Sequence, residues 1–421
     1  MRFRILLATA MAITPAVVEA QQSIRNEAAR GTQVATRPRA DFDPLGVRLG
    51  AFRARAAAEL GIGYDDNLFG TRRNQTSDFF GTTRLEGSVE SDWSTHAVGA
   101  SASIDDRRYL DRTEQDFTDW SVGLFGRYDI NPDTNVEARY NHVVAHLETS
   151  SVDVQATGIN RPVQYAFDEL QLQAQTRLNR IGLTALANYR NYSFENINVG
   201  APLAPGAQDP GRFSAFDFES LIGAVGVSYA LAPGRFINVI GRVQDITYKD
   251  ATQRGRDSTT YEGLVGFTYD FDGIWQARVA VGWRERNYEG NFQNLSGPAF
   301  EGEVIWQPTL LTTVTFAGRR TIEESIRGNA VSFTRTLGQV NVDHEYLRNV
   351  ILGAEVAVDR REYDNPNQQA TDAIGVLSAR WLINRNLALV GSYQHVRRLS
   401  ASAGFEEYDR NLVQLRLRIA L

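Results

Sequence analysis

The chain has 421 residues, 43% hydrophobic and 10% aromatic, with 44 Lys+Arg against 50 Asp+Glu and a formal net charge of −6. That mild acidity, with no basic block, argues against a nucleic-acid partner, and the absence of cysteine excludes a disulfide framework. After the first residues no stretch reaches the roughly 18 consecutive apolar residues of a membrane helix; the best, Leu221 to Ala232, is interrupted by Gly223, Gly226 and Ser228.

Met1 to Ala20 reads MRFRILLATAMAITPAVVEA. Arg2 and Arg4 form a basic start, Ile5 to Val18 an apolar run broken by Pro15, and Val18-Glu19-Ala20 a small-residue cleavage site, so residues 1–20 are expected to be a secretory signal peptide. Residues 21–51 follow as a polar periplasmic segment with Pro38 and Pro44. Its part up to residue 46 has three placements open to it: free, plugging a lumen, or docked on a periplasmic partner.

From residue 52 to 421 apolar and polar residues alternate, segment after segment. Alternation means strands with two unlike faces, because successive side chains point to opposite sides of a sheet. Phe52 to Tyr64 sets Arg53, Arg55 and Glu59 against Phe52, Ala54, Leu60 and Ile62; Glu169 to Leu178 sets glutamines against leucines; Trp275 to Arg286 sets Trp275, Val279, Val281 and Trp283 against Arg278, Arg284 and Arg286. The C-terminal stretch Val413 to Leu421 keeps the same rhythm.

Short turns are read at Ser94-Thr95, Asn131 to Thr134, Asn179-Arg180, Ala232 to Gly234, Asp272-Gly273, Gln307-Pro308, Leu347-Arg348 and Asn384 to Asn386. Between them lie polar loops at Asp65 to Thr76, Asp111 to Gln115, Thr149 to Arg161, Asn196 to Gly211, Ala251 to Arg256, Asn291 to Ser296, Glu324 to Asn329, Asn365 to Thr371 and Ser400 to Gly404. The predicted fold is therefore all-β: a transmembrane antiparallel up-and-down β-barrel of about 18 strands (16–18). Aromatics before the short turns (Trp93, Tyr128, Tyr229, Phe271, Trp306, Tyr346, Trp381) and toward the long loops (Tyr64, Trp120, Tyr140, Tyr248, Tyr261, Tyr288) are expected to form two interfacial girdles. An arginine toward the bilayer centre on the lipid face would cost about 2–4 kcal/mol, so one strand register is allowed. A ring of this size is expected to leave an aqueous interior.

Inward positions are expected to carry the pore-lining charges Arg139, Arg177, Arg242, Arg278, Arg284, Arg286, Arg319, Arg380, Arg416 and Arg418, with Glu137, Glu262, Glu303 and Glu355. Mixed signs suit passage of hydrated polar solutes, and the arginine excess in later strands suits an anionic one. No catalytic, cofactor or metal site is expected. His142 and His146 share a strand face roughly 13 Å apart, too far for one ion; Asp105-Asp106 and Asp359 read as solvated lumen charge.

The opening Arg37-Pro38-Arg39, Phe42 to Phe52 (FDPLGVRLGAF) and Gly61 to Phe69 (GIGYDDNLF) resembles that of the putative β-barrel porin 2 family of outer-membrane barrels. The resemblance implies a Gram-negative outer-membrane location and, from the family's association with exopolysaccharide clusters, a conduit for polymer export. It implies as partners outer-membrane lipid, the barrel-insertion machinery, periplasmic polysaccharide-export proteins, and a polysaccharide or small polar solute. Such barrels usually end on an aromatic, whereas this sequence ends on Leu421. A general diffusion porin and a structural or adhesive barrel remain the alternatives, with loop 196–211 the longest candidate constriction or contact surface.

Overall fold

The computed structural model describes residues 32–198, 211–271, 273–402 and 405–421. The signal peptide, the start of the periplasmic segment, most of loop 196–211 and the Phe271 side chain lie outside the described residues. Nineteen strands are described. A short β1 (Val47–Leu49) turns back on β2 (Phe52–Asp65). There follow β3 (Asp78–Ser91), β4 (Ala97–Tyr109), β5 (Phe117–Asn131) and β6 (Thr134–Leu147), then a helix α1 (Val152–Thr157). Next come β7 (Val163–Leu178), β8 (Ile181–Phe194), β9 (Phe218–Ala232), β10 (Arg235–Tyr248), β11 (Ser258–Phe271), β12 (Trp275–Tyr288) and β13 (Leu295–Thr309). The ring is completed by β14 (Thr312–Glu324), β15 (Ser332–Leu347), β16 (Val350–Tyr363), β17 (Gln368–Leu382), β18 (Leu387–Ala401) and β19 (Asp409–Ala420).

From β2 onward every strand pairs antiparallel with its sequence neighbours, and β19 pairs with β2 from Leu412 opposite Asp65 to Ala420 opposite Ala57. Nineteen strands less β1 leave eighteen in a closed antiparallel barrel. Closure satisfies the backbone of both edge strands without a partner chain.

The faces follow the alternation. On β12, Trp275, Val279, Val281 and Trp283 are exposed on the outer surface while Arg286 is 1% exposed inside. The outer surface carries the same apolar band on β9 (Leu221, Val225, Val227) and β19 (Val413, Leu415, Leu417, Ile419). Short turns cluster at one end, where Gly234 (φ 72°) closes β9–β10 in the left-handed region that a side chain disfavours. The longer loops cluster at the other.

Two expectations are corrected here. The turn expected at Gln307-Pro308 lies at Leu310-Leu311, closed by Thr309 opposite Thr312. Pro308, which has no N–H to give a ladder, sits in the register shift between Trp306 and Thr309. Tyr248 and Tyr288 also fall inside rather than in an outer girdle. Tyr248 is 1% exposed, donating to Glu324 Oε2 at 2.9 Å, and Tyr288 shares the inward parity of Arg286 with its hydroxyl 2.6 Å from Ser332 Oγ.

The barrel strands run 12 to 16 residues, longer than the roughly 9–11 that a tilted crossing needs. In the spare turns at the loop end the polarity inverts. On β7, Glu169, Gln171 and Gln173 face inward, and beyond them Val163 and Tyr165 do. On β10 the inward series runs from Arg242 to Ile246 and Tyr248. On this side of the ring the loop-end interior is thus apolar, and it is filled.

Candidate functional site: a charged lumen under an inserted loop

Cross-strand register places the expected lumen charges. Arg242 and Arg284 both grip Glu262, Arg242 also lies 3.5 Å from Glu301, and Arg286 pairs with Glu324 while donating to Thr260 Oγ1 at 2.8 Å. Arg278 stands opposite Glu303, and Arg319 opposite Glu301, on the same wall. Glu355 and Arg380 share the inward parity of Asp359 and Asp372 on β16 and β17. Arg416 and Arg418 converge on Glu59, at 3.2 and 2.5 Å. Arg139 pairs with Glu137 and lies over the Phe125 ring. Arg177, by contrast, is at the turn-end mouth, 2.9 Å from Asp133 of the β5–β6 turn.

A second set of ions lies nearer the loops; the sequence reading had Asp359 and Glu169 on polar faces but none of the arginines that hold them. Arg335 is bidentate to Asp359 at 2.9 and 2.7 Å, and Arg361 holds the same carboxylate at 3.0 Å. Arg190 meets Glu169 at 2.6 Å. Arg398 is bidentate to Asp372 at 2.7 and 3.2 Å, and Arg410 holds Asp65 at 2.6 Å. All but the Arg361–Asp359 pair, which lies within β16, join adjacent strands, so the arginines brace the wall as well as line it.

The expectation of an open aqueous interior is corrected by the β6–β7 loop. Residues 148–162 fold into the barrel and carry α1, capped by Ser151 Oγ accepting from the Val154 N–H and ended by Gly158 in the left-handed conformation (φ 75°). Val154 and Ile159 pack into an apolar cluster with Tyr165, Tyr192, Phe218, Ile246 and Ile326. Val152 faces a different cluster, with Phe333, Tyr363, Ala370 and Phe405. Since β16 is the ninth strand on from β7 in an eighteen-strand ring, α1 bridges opposite walls. A second inward loop, 325–331, meets it; Arg256 fixes this loop by donating to Ser325 O at 3.0 Å and Arg327 O at 2.7 Å.

Polar latches hold the plug. Gln155 donates to Phe69 O and Gly70 O, both at 2.9 Å, and accepts from Arg398 Nη1 at 2.7 Å. Asp153 accepts from Tyr363 at 2.6 Å and Ser325 at 3.1 Å, while Glu148 accepts from Arg410 at 2.8 Å. Burial raises the Asp153 carboxyl above its ordinary value despite those hydrogen bonds. Burial also works to raise Glu148, but Arg410, with His146 and Arg107 behind it, holds Glu148 below its ordinary value. Cavities of about 710 and 890 Å³, counting space open to solvent, lie along the inner walls around the plug.

At the turn end, residues 33–40 lie against the inner wall. Val34 is fully buried, its N–H donating to Thr313 Oγ1 at 3.0 Å. Arg37 and Arg39 both reach Glu345, at 3.4 and 3.0 Å, and Arg385 donates to Ala40 O at 3.0 Å. The two arginines of the opening motif thus anchor a strap across one side of this mouth.

The weighed catalytic candidates are kept apart. His142 pairs with Asp168 at 2.8 Å and His146 with Asp119 at 2.9 Å. Asp106 bonds Arg108 and Thr118 on the outer face, Asp105 lines the 890 Å³ cavity inside, and Asp359 is locked between two arginines. Among the described residues no group of three or more His, Cys, Asp or Glu is disposed to hold a metal ion.

No curated protein sequence matches this chain. Among solved structures, OccK1 (OpdK) of Pseudomonas aeruginosa is 13% identical over 87% of this chain and 98% of its own, with a TM-score of 0.46. The FrpB iron transporter of Neisseria meningitidis is 10% identical over 87% of this chain and 81% of its own, at 0.48. A mutant of the ferric enterobactin receptor PfeA of Pseudomonas aeruginosa is 9% identical over 94% of this chain and 84% of its own, at 0.46. The family model described as Putative beta-barrel porin 2 matches residues 39–421, and the chain belongs to that family.

Proposed function

We propose that the chain is an outer-membrane conduit for an exopolysaccharide, shut in the described state by the 148–162 loop. The apolar outer band suits acyl chains, and the charged inner wall suits a hydrated polymer. The observation that carries this reading is α1, which spans the lumen yet is tethered only through β6 and β7 and latched elsewhere by noncovalent contacts. A plug of that kind can leave without unfolding the barrel. A general diffusion porin has no use for an apolar cluster across its lumen, which places that reading second.

The partners proposed with it are outer-membrane lipid around the band, insertion machinery during assembly, and periplasmic export proteins at the strapped mouth. In planar bilayers, replacing residues 150–160 with a short Gly-Ser linker is expected to convert rare openings into large ohmic steps. A membrane that stays silent with folded protein supports the structural or adhesive reading instead. A strain that lacks the protein and still secretes its polysaccharide normally defeats the export assignment while leaving the pore intact.

A further inference from the structure

The 890 Å³ cavity lies against the wall of β3–β5 and β17–β19. Four of its lining residues are Arg84, Arg107, Arg410 and Arg416. Three are committed: Arg84 to Glu86 at 2.9 Å, Arg410 to Asp65 and Glu148, and Arg416 to Glu59. Arg107 is not. It is 8% exposed, its Nε has no hydrogen-bond partner, and among the described residues it makes no ion pair. Its one hydrogen bond is a long one to Tyr109 OH at 3.4 Å, and the Phe80 and Phe117 rings flank its guanidinium. A buried guanidinium edge with donors unmet costs free energy that a planar anion recovers by bidentate bonding.

Two residues back on the same inner face, Asp105 also lines the cavity, and among the described residues it makes no side-chain hydrogen bond or ion pair. Same-face neighbours on a strand are roughly 6.6 Å apart, so the cation and the carboxylate, which feel each other without a direct contact, present themselves together. A bare inorganic anion suits Arg107 but is repelled by Asp105. A molecule carrying a carboxylate and hydroxyl donors a few ångströms apart suits both. Ser392 and Gln394 on the facing part of the cavity add hydroxyl and amide groups. We propose that this cavity binds an acidic sugar unit, its carboxylate on Arg107 and a ring hydroxyl donating to Asp105. The proposal rests on the conduit reading for its biological meaning, and it names the class of polymer carried: one containing uronic acid.

Calorimetry on the full chain folded in detergent micelles tests this without requiring conductance. Glucuronate, glucose and inorganic phosphate are titrated in turn. Saturable heat with glucuronate, and affinity at least about tenfold weaker for glucose and for phosphate, is the expected result, the factor being that of one charge-assisted hydrogen bond. Arg107→Gln abolishes glucuronate binding, and Asp105→Asn narrows the gap between glucuronate and phosphate. Should Arg107→Gln fail to fold, judged by loss of heat-modifiable migration, Ser392→Ala serves instead and is expected to weaken glucuronate several-fold. Equal binding of phosphate and glucuronate, equal binding of glucose, or no heat at all overturns the proposal. A silent bilayer with intact glucuronate binding would instead remove the conduit reading and leave the site standing.

Discussion

Substituting Gln155 by Ala probes the plug without touching the barrel wall. The amide donates to Phe69 O and Gly70 O at 2.9 Å and accepts from Arg398 at 2.7 Å. Arg398 keeps its two bonds to Asp372, so no buried charge is orphaned by the change. One charged hydrogen bond is worth about 1.5–3 kcal/mol and each neutral one about 0.5–1.5 kcal/mol, and the three are not additive. A loss of about 3 kcal/mol in docking free energy is a fair central figure, or roughly a 150-fold rise in the open-to-closed ratio. The assay is single-channel recording at fixed voltage, reading dwell times in the open level. The open conductance itself is expected to stay the same, because the wall is unchanged. An Arg177→Ala control at the mouth is expected to leave the ratio alone. If Gln155→Ala leaves the open-to-closed ratio within twofold of the parent, the 148–162 loop is not the gate.

Further outcomes follow from the same structure. Asp153, with its pKa raised by burial, favours the docked plug most below its unfolded value of 3.8, and that contribution is lost as pH rises through the raised value. Open events are therefore expected to grow rarer on acidification from neutrality through that raised value. Asp153→Asn should flatten the dependence, and an unchanged pH profile in that variant would refute it. Glu148 acts oppositely, but only below its ordinary 4.5. Val281→Arg puts a charge mid-strand on the outer surface, where Val281 is 64% exposed; urea unfolding in lipid vesicles should show a loss of about 2–4 kcal/mol. Arg335→Ala takes from Glu323 and Asp359 the cation they share and leaves Asp359 with Arg361 alone, and the same assay should show a loss at the low end of about 3–5 kcal/mol.

Eighteen strands and their closure were legible because a period of two and an alternation of turn lengths survive every local exception. The exceptions have physical causes. Pro308 reads as a turn residue, yet the bulge beside Trp306 absorbs its missing donor and lets β13 continue to Thr309. Tyr248 and Tyr288 look like girdle residues from their nearness to loops. Counting parity from Arg242 and Arg286 would have put both inside.

The plug was harder to read, since its residues form one of nine polar loops. Two signals were nevertheless present. Ser151 and Gly158 bracket a one-and-a-half-turn helix with a cap at each end. The strand ends also switch polarity: Asp245 and Thr247 take the outer side while Ile246 and Tyr248 take the inner, which makes sense only where water lies outside and protein within. Which arginine is left without a direct ion pair was not legible at all. Arg107 and Arg410 differ only in what the fold carries to them from residues far along the chain.

The native chain contains no cysteine, so single cysteines report cleanly on each face of β12. Arg278→Cys, Val279→Cys, Val281→Cys, Trp283→Cys and Arg284→Cys, reconstituted in vesicles, are exposed in turn to a charged thiol reagent and, after labelling with a fluorophore, to quencher-bearing lipids. Positions 278 and 284 are expected to react with the aqueous reagent and escape lipid quenching, while 279, 281 and 283 do the reverse. Uniform aqueous reactivity at all five positions would contradict a lipid-facing outer band and a wet interior, and with them the account of this barrel as a membrane conduit.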